Sequence, residues 1–263
     1  MPELPEVENV TRTLKRIIGK KIVKVESLTE RLREPIQKDL VNKISNKKII
    51  DIYRRGKYLV FKLDKGFIVG HLGMTGKFVI DMPEDKFDRL IITLDDNSTL
   101  KYNDVRKFGF VLYESVLEEN KYLNKLGVEP LTDDFNVDWF YEITKYSKKS
   151  IKQFLLDQSI VVGLGNIYVN EVLYLCKINP YTIMRELGKN KITLLVKEIK
   201  KILLKSIELG GSSISDYVDA DNKKGSFQDT FNVYNKKTDL LGNEVVKVVQ
   251  NGRSTYYCPE VQK

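Results

Sequence analysis

The chain opens Met-Pro-Glu-Leu-Pro-Glu. Removal of Met1, which a proline in second place permits, would leave Pro2 with a free secondary α-amine. An α-amine has an unperturbed pKa of ~8 against ~10.4 for lysine, so far more of it is unprotonated near neutrality. Unprotonated amines attack electrophilic carbon and form Schiff bases. Glu3 and Glu6 would stand within a few residues of that nucleophile as acids or bases. An opposing reading is a plain helix start with Pro5 as the opening residue, and these six residues alone do not decide between the two.

The elements that must hold such a site follow from hydrophobic period. Val7, Val10, Leu14, Ile17 and Ile18 share one helical face, which predicts a helix over 5–18 ending at Gly19. The N-terminal amine would sit at the positive end of that helix, where carboxylates are favoured. From about 20 to 114 the period becomes two. Apolar runs at 57–63, 67–72, 90–94 and 108–113 alternate with turn residues, which predicts a two-layer sandwich. Near 115 the pattern switches again, with helices expected over 115–126, 137–146, 150–157, 166–175 and 189–209. A small, polar and mobile loop is expected from 211 to about 226. Beyond it, runs at 245–250 and 254–257 suggest a hairpin.

Composition narrows the chemistry. The 263 residues carry a formal net charge of +8, with 44 Lys+Arg against 36 Asp+Glu, which favours an anionic partner, most simply nucleic acid. No apolar run reaches spanning length, and no signal-peptide pattern is present. Cys176 and Cys258 are too few for a disulfide framework, so a reducing compartment is expected. His71 is the only histidine, which argues against His-rich metal chemistry.

Several local motifs fit a polyanion. GLGN at 163–166 makes a tight turn with Asn166 at an expected helix N-cap, a ready phosphate site, although such turns also merely join helices. Lys152 on the preceding helix and Lys57 in RRGKY point either to phosphate or to solvent. Arg106 and Phe108 in NDVRKFG either wedge between bases or form a hairpin tip with Phe108 buried. Met74 lies between two glycines in HLGMTGK, the motif that His71 begins.

Taken in order, MPELPEVE, RRGKYL, HLGMTGKF, YNDVRKFGF, LGVEPL, SIKQFLLDQ, GLGNIYVNE, GGSSISDYV and GRSTYYCPE resemble the formamidopyrimidine-DNA glycosylase family over essentially the whole chain. The resemblance implies an α+β fold: residues 1–114 as a β-sandwich with a flanking catalytic helix, 115–226 as a helix-two-turn-helix domain with a lesion-capping loop at about 211–226, and 227–263 as a β-hairpin finger. It implies a base-excision glycosylase for oxidised purines with AP lyase activity, acting as a monomer without membrane contact on damaged double-stranded DNA, cytoplasmic and nucleoid-associated if the host is prokaryotic and otherwise nuclear or unassigned. Pro2 matches the catalytic proline, Glu3 the acid that assists opening of the sugar ring, Glu6 a supporting carboxylate, and Lys57 a lysine gripping phosphate beside the lesion. Met74, Arg106 and Phe108 match the trio that fills the gap left by an everted nucleotide. Asn166 and Arg253 match phosphate ligands, and His71 and Lys152 join the expected DNA-binding set. Leu4 favours this branch over its Nei relatives, which act on oxidised pyrimidines. The Nei activity and non-catalytic lesion binding remain the alternatives.

One departure stands out. The family finger usually holds zinc with two CxxC pairs, but here Leu240–Leu241 lie near the first pair and Val261 replaces the partner of Cys258. One cysteine cannot build a four-ligand site. No cofactor is therefore expected, and a zincless finger is predicted, held by packing of Leu241, Val245, Val248 and Tyr257.

Overall fold

The computed structural model describes residues 1–214 and 217–263. It divides into two compact units: residues 1–124 with 209–228, and 125–208 with 229–263.

In the first unit α1 (Leu4–Leu14) buries Val7, Val10 and Leu14 completely. The expected helix to 18 changes character after Leu14, where a 3-10 turn, Lys15–Ile17, tucks Ile17 into the core. Eight strands follow: β1 (Ile22–Ser27), β2 (Ile49–Arg55), β3 (Tyr58–Leu63), β4 (Phe67–His71), β5 (Lys77–Ile80), β6 (Asp88–Leu94), β7 (Thr99–Asn103) and β8 (Phe110–Glu114), with the short helix α2 (Leu40–Ile44) between β1 and β2. They form two antiparallel sheets, ordered β1-β6-β7-β5 and β2-β3-β4-β8. Because side chains alternate along a strand, each sheet offers one apolar face to the other. Ile22, Ile92 and Phe78 of the first sheet meet Ile52, Phe61 and Val111 of the second in a core that α1 also enters. Phe61 and Phe78 join the layers at 5.3 Å between ring centroids.

The helix expected over 115–126 does not form. Only Leu117–Glu119 makes a 3-10 turn. Buried Asn120 then turns the chain, its Oδ1 accepting the Tyr122 and Leu123 amides while its amide donates to Glu114. This side-chain competition for backbone donors outweighs helical period. Leu117, Tyr122 and Leu123 instead cover the outer face of β4 and β8 through Val69, Phe110 and Leu112.

In the second unit α3 (Val137–Thr144), α4 (Ile151–Leu156), α5 (Asn166–Leu175) and α6 (Lys189–Glu208) appear where period predicts them. Helix α6 buries Ile192, Leu195, Ile199 and Leu203 and exposes Lys197, Lys201 and Lys205. Strands β9 (Val246–Gln250) and β10 (Arg253–Tyr257) pair as an antiparallel hairpin. Its turn residues, Asn251 and Gly252, both have positive φ, as a two-residue hairpin of this twist requires.

The loop expected from 211 to about 226 is well bonded over its described residues; Ser215 and Asp216 lie outside them. Tyr217, Val218 and Ala220 are buried, and the Ala220 carbonyl accepts the Ile80 amide. Apolar residues every few positions in this stretch anchor an otherwise polar sequence.

Candidate active site

Helix α1 begins with a capping box in which the Glu3 amide donates to Glu6 Oε2 at 2.8 Å and Glu3 caps in return. Glu6 Oε1 accepts the Ser212 amide at 2.7 Å and the Ser212 hydroxyl at 3.1 Å. Tyr217 donates its hydroxyl to the Glu6 carbonyl at 3.2 Å. One carboxylate thus fixes both the backbone next to Pro2 and the start of the 211–226 loop. Pro2, Glu3 and Glu6 are all buried.

Met1 lines a cavity of ≈ 520 Å³ together with His71, Met74, Arg106 and Phe108. The chain start and the expected gap-filling trio therefore open into one space. Met74 and Phe108 are 42% and 45% exposed, so Phe108 is not the buried residue of an ordinary hairpin tip. The Arg106 guanidinium stacks over the Phe108 ring at 4.4 Å and donates to Met74 Sδ at 3.3 Å. Arg31 and Arg33 line the same cavity and were missed by motif reading; the basic run 31–33 was their only signal.

Lys57 occupies the two-residue turn between β2 and β3 and is 7% exposed, not a solvated surface lysine. His71 is equally buried, accepts the Gly73 amide at Nδ1 (3.1 Å), and stacks on Phe110. Burial first, then the charges of Arg33 and Lys57, push its pKa down to about 4. It is therefore a neutral imidazole with its proton on Nε2, able to donate a hydrogen bond but carrying no charge at neutral pH.

The second unit gathers Lys152, Asn166 and Arg253 around β10. Asn166 is the first helical residue of α5, and Gly165 takes the N-cap position expected of it. Its Nδ2 donates to the Ser254 carbonyl at 2.8 Å, while its buried Oδ1 has no hydrogen-bond partner. Lys152 is 1% exposed and donates to the same carbonyl at 2.9 Å and to Thr255 Oγ1 at 2.6 Å. Burial, then the Arg253 charge, lowers its pKa to about 8. Lys152, together with exposed Arg253 and Lys149, lines a second cavity of ≈ 360 Å³. Two polar side chains thus brace the residue next to Arg253. Buried Glu171, to which no role was assigned from sequence, accepts four hydrogen bonds from Asn232, Val233 and Tyr234 and so fixes the approach to the hairpin.

Family models match all of the chain except residues 112–125: the formamidopyrimidine-DNA glycosylase N-terminal domain over residues 1–111, the H2TH domain over 126–218, and the C-terminal domain over 218–263. The chain belongs to the formamidopyrimidine-DNA glycosylase family. It is 39% identical to the family enzyme of Neisseria meningitidis, with full coverage of both chains. It is 38% identical to that of Acinetobacter baylyi, covering 100% and 98%. A Lactococcus lactis Fpg mutant solved with Fapy-dG-containing DNA superposes with a TM-score of 0.91 at 40% identity over all of both chains. The Lactococcus lactis Fpg solved with abasic-site DNA gives 0.90 at 40% identity, covering 99% of each.

For a formamidopyrimidine-DNA glycosylase the finger is unusual. Among the described residues no three His, Cys, Asp or Glu side chains converge in a way that could hold a metal ion. Leu240 and Leu241 are 80% and 79% exposed, so Leu241 does not pack as expected. The apolar contacts come from Val233, Val245 and Tyr256, with Tyr174 and Tyr234 against them. Val248 and Tyr257, the other expected contributors, are only half-buried. The turn carrying the two leucines is held by Asp239, which accepts from Leu241, Asn243 and the Tyr174 hydroxyl. Backbone satisfaction by a carboxylate leaves those leucines free to face water. The donor set does not fit zinc.

Proposed function

We propose that the chain excises oxidised purines, 8-oxoguanine and formamidopyrimidines, from double-stranded DNA and then cleaves the abasic strand. The observation that carries this reading is that Met1, the residue whose removal would free the Pro2 amine, lines the cavity shared by Met74, Arg106 and Phe108. A damaged nucleotide would leave the stack at a cost of a few kcal/mol, and the trio would occupy its place, with Arg106 meeting the orphaned cytosine.

With Met1 removed, the Pro2 nitrogen attacks C1′, and the glycosidic bond breaks as the base departs with the electron pair and a proton. Glu3 protonates the ring oxygen as the sugar opens, giving an iminium on Pro2. Loss of a C2′ proton expels the 3′ phosphate, and a second elimination expels the 5′ phosphate. Water then hydrolyses the iminium, releasing the unsaturated sugar fragment as an aldehyde and freeing the Pro2 amine, and the DNA is left with a one-nucleotide gap bearing phosphate at both ends. Lys57 grips phosphate beside the lesion, His71 donates Nε2–H to the backbone, and Arg253, with Asn166 and Lys152 behind it, holds phosphate from the finger. Glu6 positions Glu3 and the capping loop. No cofactor takes part, and the finger works without zinc; supporting this, Cys258 has no cysteine within reach in the sequence motif and Val261 stands in its partner's place. Among the described residues no helix is long and apolar enough to cross a membrane. In a prokaryotic host the protein would act as a monomer at the nucleoid.

Borohydride added to the Met1-processed protein and a duplex carrying 8-oxoguanine opposite cytosine tests the reading. A covalent protein–DNA product that disappears when the Pro2 amine is blocked supports it. Trapping only on an oxidised pyrimidine would transfer the protein to Nei-type activity, and no trapping on any lesion or abasic site would refute the mechanism. Stoichiometric zinc by elemental analysis would refute the metal-free finger.

A further inference from the structure

Asp104 is completely buried beneath the exposed loop that carries Arg106 and Phe108. Its Oδ1 accepts the Thr75 hydroxyl at 2.6 Å and the Arg106 amide at 3.2 Å, and its Oδ2 accepts the Gly109 amide at 2.9 Å. Thr75 Oγ1 accepts the Arg106 amide at 3.0 Å. The Asp104 carbonyl accepts Arg89 Nε at 2.9 Å. The Met74 loop and the Arg106–Phe108 loop, about thirty residues apart in sequence, are therefore joined by one carboxylate and one hydroxyl. They also touch directly: a Cβ on Gly73 would lie 2.5 Å from the Gly109 nitrogen. Lys107, between Arg106 and Phe108, sits at φ 56, a left-handed conformation costly for a non-glycine residue and kept only where surroundings impose it.

We propose that Asp104 and Thr75 are positioning residues that assemble Met74, Arg106 and Phe108 into one rigid wedge before DNA is bound, and that this preassembly sets discrimination of the base opposite the lesion. The inference rests on the gap-filling role given to that trio above. Two independent loops would each lose conformational freedom on entering the stack, whereas a joined pair has lost it beforehand. Holding the Arg106 amide from two sides also fixes where its guanidinium starts, so its hydrogen bonds to an unpaired base are decided by geometry.

The test uses the full-length, Met1-processed protein and a duplex with a tetrahydrofuran abasic analogue, which requires no chemistry. A 2-aminopurine beside the site reports unstacking by the wedge, and affinity is compared with cytosine or adenine opposite. Thr75→Val keeps the side-chain volume and removes the hydroxyl. It should lose about tenfold of the preference for cytosine, the value of one hydrogen bond, and blunt the 2-aminopurine signal, while its melting midpoint falls only by the loss of that one hydrogen bond and the protein stays folded at the assay temperature. Thr75→Ser should restore both. Asp104→Asn, which puts an amide against N–H donors, should lose more. Wild-type discrimination by Thr75→Val overturns the proposal, as does an equal loss of affinity for both opposite bases or a failure of Thr75→Ser to rescue. If wild type binds and discriminates here but never traps with borohydride, the lyase mechanism fails and the wedge stands.

Discussion

His71 should make the protein acid-sensitive in a defined window. The unfolded chain takes up a proton at this residue near 6.5, whereas the native site resists until about 4. Between these values the unfolded state binds more protons, so stability falls as pH falls. The difference amounts to about 2 kcal/mol at pH 5 and about 3 kcal/mol well below pH 4, from ~1.4 kcal/mol per pKa unit. This is a sizeable part of the ~5–15 kcal/mol that holds most domains. As the only histidine, it gives a single imidazole resonance, so its titration and its Nε2–H tautomer are directly readable by NMR. Urea unfolding from pH 4 to 8 supplies the energetic side. His71→Phe retains a ring against Phe110 but leaves the Gly73 amide without its acceptor, a pH-independent loss of about 1–3 kcal/mol. The gap between wild type and variant should therefore narrow, then reverse, as pH falls. An NMR midpoint near the unperturbed value, or parallel stability curves for the two proteins, would refute the reasoning.

Arg253→Ala should weaken binding to all duplex sequences alike and flatten the plot of log affinity against log salt by roughly 1, as loss of one phosphate contact requires; filter binding over a salt series reads this directly. Phosphate brought beside Lys152, whose pKa lies at about 8, favours its charged form, so DNA binding near pH 8 should take up protons. Calorimetry in two buffers of different ionisation enthalpy measures that uptake, and Lys152→Met should abolish it. Glu171→Gln turns an acceptor of four hydrogen bonds into a group that opposes N–H with N–H. It should cost about 3 kcal/mol or more, seen as a lowered denaturation midpoint.

Much of this was legible from period and exposure logic. The α1 stripe, the alternating strands and the two-sided pattern of α6 are all records of apolar burial, which depends on the near neighbours of each residue. Polar networks leave no such record. Asp104 reads as an ordinary turn residue until the fold brings Thr75 to it, and Lys152 reads as solvated until β10 arrives from a hundred residues away. Asn120 misled in the opposite direction: apolar spacing over 115–126 fits a helix, and one buried amide that captures two backbone donors is enough to prevent it. Leu241 failed as a packing residue because Asp239 already satisfies its turn, so nothing draws the side chain inward.

The finger shows what replaces concentrated cross-linking when only Cys258 of the usual ligand set remains. Glu171 fixes its approach, Asp239 its outer turn, and Gln262 its end, accepting the Cys258 amide and donating to the Ile178 carbonyl. If the finger is metal-free as proposed, a chelator should leave it folded, and the group to examine is Asp239. For Asp239, hydrogen bonds from the Asn243 side chain, outweighing burial, hold the pKa at about 2 against 3.8 for a free aspartate. Its folded value is depressed, so the stability it contributes is present above the free value and lost only as pH falls through about 2. That window lies wholly below the one in which His71 titrates. On mild acidification Asp239 therefore keeps its charge while His71 is already drawing stability from the fold, so of these two groups His71 is the one that acid reaches first.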